Sequence, residues 1–145
     1  MTAKEIIAAL DLAPPPEGGG VRDSGRAPAA DGARAVGTAI YYLLDVGEVS
    51  HWHRVDAAEV WHWYAGAPLS LSLSPDGHDA EAHVLGPVLA AGQRPQRVVP
   101  AGWWQSACSL GAFTLVGCTV SPGFEFTGFE MAPPDWRPVP RPSGR

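Results

Sequence analysis

A chain of 145 residues with 46% hydrophobic and 17% charged side chains has enough apolar material for one core, which excludes wholesale disorder. Ten Lys and Arg against 15 Asp and Glu leave a net charge of -5 with no basic run, which argues against a nucleic-acid partner. No apolar stretch approaches the roughly 18 residues of a membrane span, and 17 glycines with 15 prolines interrupt the chain too often for long helices.

In chain order, Thr2 and Glu5 have the spacing of a capping box, and Ile6, Ile7 and Leu10 follow at helical offsets. This predicts a short helix over residues 3–11. Pro14-Pro15-Pro16 ends it. Residues 13–35 offer almost nothing to bury and read as a loop or mobile segment, so 1–35 is taken as helix plus Gly/Pro-rich loop.

From Val36 the periodicity is close to two. Leu69, Leu71 and Leu73 alternate with Ser70, Ser72 and Ser74, the pattern of a strand with one dry and one wet face. Further strands are expected over Val36–Leu44, Val49–His53, Glu59–Tyr64, Ala80–Leu85, Arg97–Val99, Trp103–Ser109, Phe113–Val120 and Phe124–Phe129, separated by Gly, Pro and Asp breakers. Short strands at near-regular spacing without helices between them predict an all-β, antiparallel barrel or sandwich over 36–130. Residues 131–145 read as a Pro-rich C-terminal tail, extended on the surface or frayed. Cys108 and Cys118 form no CxxC pair and the start lacks the apolar core of a secretory signal, so a reducing, cytoplasmic setting is expected.

The densest chemistry runs from His51 to Gly66. On a regular strand, residues two apart face the same way, so His51 and His53 are expected to project together. Glu59, Trp61 and Trp63 share a face of the next strand, with His62 on the other. If the two strands pair, two imidazoles and a carboxylate converge, which suits a divalent metal or acid/base work. Three polar groups on an otherwise apolar inner face are costly unless used.

His51-x-His53, a gap, Glu59, six residues and Gly66 resembles the first motif of the cupin superfamily. Gly92 through Pro100-Ala101-Gly102-Trp103-Trp104-Gln105 is similar to the second. The text around both motifs resembles the small single-domain cupins grouped as cupin_5, over roughly residues 36–130. That resemblance implies a single-domain cupin β jelly-roll barrel, here behind a short N-terminal helix, usually as a homodimer with a pocket inside the barrel. Gln105 stands where metal-dependent cupins place their last histidine; its carbonyl oxygen is a weaker, neutral ligand.

The resemblance implies a small-molecule enzyme of isomerase or epimerase type, acting on a carbohydrate-like or keto/hydroxy metabolite. In it His53 or His51 takes a proton beside a carbonyl, Glu59 tunes the imidazole, and Arg54 or Gln105 holds a substrate oxygen. A variant sets a divalent metal (Zn, Ni, Mn or Fe) on His51, His53, Glu59 and Gln105 to polarise the carbonyl, as a metal-assisted lyase would. The alternative is a non-catalytic module that binds a small ligand. Trp61, Trp63, Trp103 and Trp104 are first of all core aromatics, and Trp61, Trp63 and Trp103 are candidate pocket walls. Of Tyr41 and Tyr42 only one can point inward.

Overall fold

The computed structural model describes residues 1–142. Helix α1 (Ala3–Leu10) carries the full capping box: the Thr2 hydroxyl accepts from the Glu5 amide while the Glu5 carboxylate accepts from the Thr2 amide. Ten strands follow: β1 (Gly20–Ala27), β2 (Gly37–Asp45), β3 (Val49–Val55), β4 (Ala58–Gly66), β5 (Leu69–Ser74), β6 (Glu81–Leu85), β7 (Gln96–Val99), β8 (Trp104–Ser109), β9 (Phe113–Ser121) and β10 (Phe129–Met131). They form two five-stranded sheets, ordered β1-β2-β9-β4-β7 and β10-β3-β8-β5-β6. All ten pair antiparallel within their sheets. The architecture is the expected all-β cupin-like barrel.

Period-two patterning decides what lies between the sheets. Leu69, Leu71 and Leu73 turn inward with 0–2% exposure and meet Leu44, Trp61, Val99 and Val116 from the facing sheet. Burying a Leu side chain contributes roughly 1.5–3 kcal/mol relative to leaving it in water, so these residues hold the sheets together. Tyr42 is the inward tyrosine and packs edge-on against Trp61 at 5.9 Å. Tyr41 faces outward toward Tyr64. Helix α1 covers part of the outer face, setting Ala3 and Ile6 against Leu43.

Two stretches depart from expectation. Residues 20–27 are strand β1, not loop. It is an edge strand paired with β2 along its length and touched on the other side by a single bridge from Ala13 to Val21, bulged between Asp23 and Gly25, and mostly exposed. Such a strand buries too little apolar surface to leave a hydrophobic alternation. Phe124–Phe129 is not a strand; it forms a 3-10 turn over Phe126–Gly128 ahead of the short β10.

The tail lies on the outer face of the second sheet. Trp136 packs on Trp104 at 4.6 Å and on Trp52 at 6.0 Å, and Val139 donates its amide to Gly77. Residues 143–145 of the expected tail lie outside the described residues.

Candidate active site

Strand β3 decides which histidine reaches the interior. Ser50 pairs with Ala107 and His53 with Gln105, so three steps along β3 match two along β8. The extra residue is a β-bulge, and it breaks the period that would aim His51 and His53 alike. His53 turns inward and is buried. His51 turns out, and its Nε2 donates to the Pro133 carbonyl at 2.8 Å. The expected same-face pair is therefore one imidazole inside and one outside.

The inward ring is held in one tautomer. His53 Nδ1 lies 2.7 Å from the His51 carbonyl, and a carbonyl can only accept, so Nδ1 carries the proton. In the neutral ring this leaves Nε2 with its lone pair. Burial pushes the His53 pKa down, against the opposing pull of Glu59, so the ring is held neutral.

Glu59 enters from β4 and is fixed by a two-bond relay. The Trp61 indole N–H donates to Gln105 Oε1 at 2.7 Å, and Gln105 Nε2 donates to Glu59 Oε1 at 3.0 Å. Because indole is only a donor, the amide has one satisfactory orientation: oxygen to Trp61, nitrogen to Glu59. Burial pushes the Glu59 carboxyl pKa up, outweighing the lowering effects of His53 and Gln105. Cys118 stands beside it as a thiol whose own pKa burial raises. Replacing Gln105 with leucine strands both the Trp61 N–H and the Glu59 carboxyl. Each buried group left unpaired costs about 1–3 kcal/mol, so Gln105→Leu is expected to lower the urea midpoint distinctly without changing the unfolding slope.

These groups border a cavity of about 330 Å³ at one end of the barrel, within the size range of small-metabolite pockets. Its walls include His53, Glu59, Cys118, Ile40, Val120 and the rings of Phe124, Phe126 and Phe129.

The remaining expected site residues lie elsewhere. Trp61 is buried core that anchors Gln105, not cavity wall. Trp63 donates to the Ala67 carbonyl, and with Trp103 it packs against the core away from the cavity. Arg54 is on the outer face, bonded to Glu130 at 2.7 Å and stacked over Trp104 at 4.5 Å. Its alternation with His53 along β3 requires this. His62 faces outward, next to the Thr119 hydroxyl.

The ligand set expected for a metal does not assemble. His51 points away and the Gln105 carbonyl is occupied by Trp61, leaving His53 and Glu59. Among the described residues, no group of three or more His, Cys, Asp or Glu is disposed to hold an ion. Catalytic sites for zinc and its transition-metal relatives take about three protein donors, so these residues do not fit such an ion.

Several cavity residues were not foreseen. Glu17, between prolines and glycines, has the signature of a turn and nothing more. The phenylalanines at 124, 126 and 129 fall in a stretch whose apolar pattern predicts strand, where the structure has a 3-10 turn leading into β10. Cys118 was recoverable from its inward parity with Val116 and Val120 on β9.

A two-sheet barrel with a histidine and a glutamate set into a cavity between its sheets has the architecture of the cupins. The chain belongs to the Cupin_5 family of the cupin superfamily (DUF985), whose model matches residues 4–132. It is similar to protein SO0799 from Shewanella oneidensis, at 42% identity over 91% of this chain and 85% of that one, TM-score 0.86. Two likenesses reach the fold alone. One is an oxalate decarboxylase variant from Bacillus subtilis (12% identity, 84% of this chain, 30% of that chain, TM-score 0.64). The other is a dTDP sugar isomerase from Desulfovibrio desulfuricans (16% identity, 81% and 83%, TM-score 0.60). No curated protein matches. Among the described residues no helix is long and apolar enough to cross a membrane.

Proposed function

We propose that the cavity is an active site for proton transfer next to a carbonyl, of the isomerase or epimerase kind, on a small hydroxy-carbonyl compound. The observation that carries this reading is the single-tautomer imidazole of His53, which keeps an Nε2 lone pair beside a buried carboxyl of raised pKa. His53 Nε2 takes the proton from the carbon next to the carbonyl. Glu59, entering as the acid, gives its proton to the carbonyl oxygen, so the enediol is neutral and the charges that form, an imidazolium on His53 and a carboxylate on Glu59, sit side by side as a pair. Return of the His53 proton to the former carbonyl carbon, as the neighbouring hydroxyl passes its proton to Glu59, completes isomerisation; return to the original carbon on its other face, as the enediol oxygen gives its proton back to Glu59, completes epimerisation. Gln105 positions Glu59 through the relay from Trp61. The fold likeness to a sugar isomerase is consistent with this chemistry and adds no residue-level support.

The test is exchange with heavy water. Incubated in D₂O with uncharged α-hydroxy ketones (dihydroxyacetone and 2-hydroxyacetophenone), the protein is expected to replace the carbon-bound proton with deuterium faster than buffer does, as read by proton NMR. Burial keeps His53 unprotonated below the ordinary imidazole value of 6.5, so the acid limb of the rate profile should fall below that pH. Binding of both ketones without exchange would select the non-catalytic binding module instead.

The reading includes a homodimer, for which the exposed Tyr64 and its neighbours Tyr41 and His62 on the outer sheet offer an aromatic face. It also includes a reducing, cytoplasmic setting, supported by two free cysteines.

A further inference from the structure

The segment between α1 and β1 is built more firmly than a connection requires. Ala13 and Val21 exchange backbone hydrogen bonds of 3.0 and 2.8 Å, and the His51 amide donates to the Glu17 carbonyl at 2.9 Å. The Tyr42 hydroxyl donates to the Gly18 carbonyl. The strap thus ties β1 of one sheet to β3 of the other. Gly18 and Gly19 have φ of +104° and +92°, and a Cβ would lie 2.5 Å from the Val49 carbonyl oxygen at Gly18 and 2.8 Å from that of Leu43 at Gly19. Only glycine allows so close an approach of backbone to backbone. Three prolines stiffen the approach from the helix side.

What this strap carries to the cavity wall is Glu17. Its carboxyl is half-buried and bonded by its own backbone amide, and no other side chain among the described residues pairs with it. Desolvation pushes its pKa up, and its charge is felt at Glu59 and Cys118. A half-buried carboxyl that no other residue pairs with, on a backbone pinned at both sides, keeps acceptor capacity open to a ligand.

We propose that Glu17 is a substrate-contacting residue, accepting a hydrogen bond from a hydroxyl of an uncharged substrate whose flat apolar part rests on Phe124, Phe126 and Phe129. This deepens the acid/base reading of the same cavity and rests on it. The absence of net charge follows from the lining. His53 is held neutral, and Arg26, the one Lys or Arg of the lining, is exposed and shares the lining with Asp23 and Glu125. An anion placed beside Glu17 and Glu59 would be buried without a counter-charge. The three phenylalanine rings, with centroids 5.0–6.0 Å apart and planes turned 69–83° to one another, form an apolar wall of ring faces and edges against which an aromatic group can pack.

The probes are 2-hydroxyacetophenone, acetophenone, which lacks the hydroxyl, and phenylglyoxylate, which is anionic; affinities are read by calorimetric titration. The wild-type protein is expected to favour 2-hydroxyacetophenone over acetophenone by about tenfold. It should bind phenylglyoxylate more weakly than 2-hydroxyacetophenone. Glu17→Ala should shrink the hydroxyl preference to less than about threefold, with acetophenone affinity unchanged. Glu17→Met, which preserves side-chain length and strap packing, should do the same. A preference that survives in both variants, tighter binding of phenylglyoxylate, or binding of none of the probes would overturn the proposal. Failure of exchange with the preference intact would sink the catalytic reading alone; exchange with the preference unmoved would sink Glu17 alone.

Discussion

His53→Ala is expected to slow deuterium incorporation by about a hundred- to ten-thousand-fold, the usual contribution of a positioned general base. The melting temperature should move little near neutral pH, because the ring already borders a hollow and its removal enlarges an existing space. The two proteins should part as pH falls. The folded His53 binds its proton less readily than the unfolded chain does, so its contribution to stability is complete above the ordinary value of 6.5 and is lost on acidification. Alanine removes that linkage. Wild-type stability should therefore fall more steeply below that pH than the variant's, a difference thermal melts across the range would register. Equal slopes would mean that the imidazole is not held neutral.

Trp61→Ala should be the most destabilising single change near the site. The indole is 1% exposed, packs on Tyr42 and supplies the only donor to Gln105 Oε1 among the described residues. Truncating a buried tryptophan costs about 3–5 kcal/mol, and the unpaired amide adds to it. For a domain of this size the melting temperature should drop by roughly 10–15 °C. Exchange activity should fall as well, because Glu59 loses the fixed Gln105. Trp61→Phe separates the two effects: most of the packing remains, the relay does not. Unimpaired exchange in Trp61→Phe would show that Glu59 does not depend on the relay.

How much of this was legible beforehand follows from where the signals live. Leu69, Leu71 and Leu73 announce an inner face because burial of alternate residues is recorded directly in residue type. The parity of Glu59 and Trp61 on β4 is legible for the same reason. The parity of β3 is not. A bulge is a property of two paired strands, and nothing in Ser50-His51-Trp52-His53 distinguishes a regular strand from one with an added residue. Strand β1 was hidden by its polarity, since an edge strand that packs little needs few apolar side chains. Glu17 was hidden because its position is set by backbone contacts to two strands remote in sequence. Gln105 was visible as a residue in a motif, but its partners, not its type, define its role: the amide that resembled a weak ligand is a spacer between an indole and an acid.

The outward turn of His51 has a consequence for the far end of the chain. Its ring holds the Pro133 carbonyl, the Ala132 amide bonds the Trp52 carbonyl, and Met131 lies across from His53, whose ring sits 5.5 Å from that of Phe129. Three successive residues of one strand therefore grip the carboxy-terminal segment while the third also serves the hollow. Tension that overcame the Trp136 and Val139 contacts, from a fused partner or a tether, would reach the imidazole through little more than a single ribbon of backbone. The chain's exit is mechanically geared to its interior.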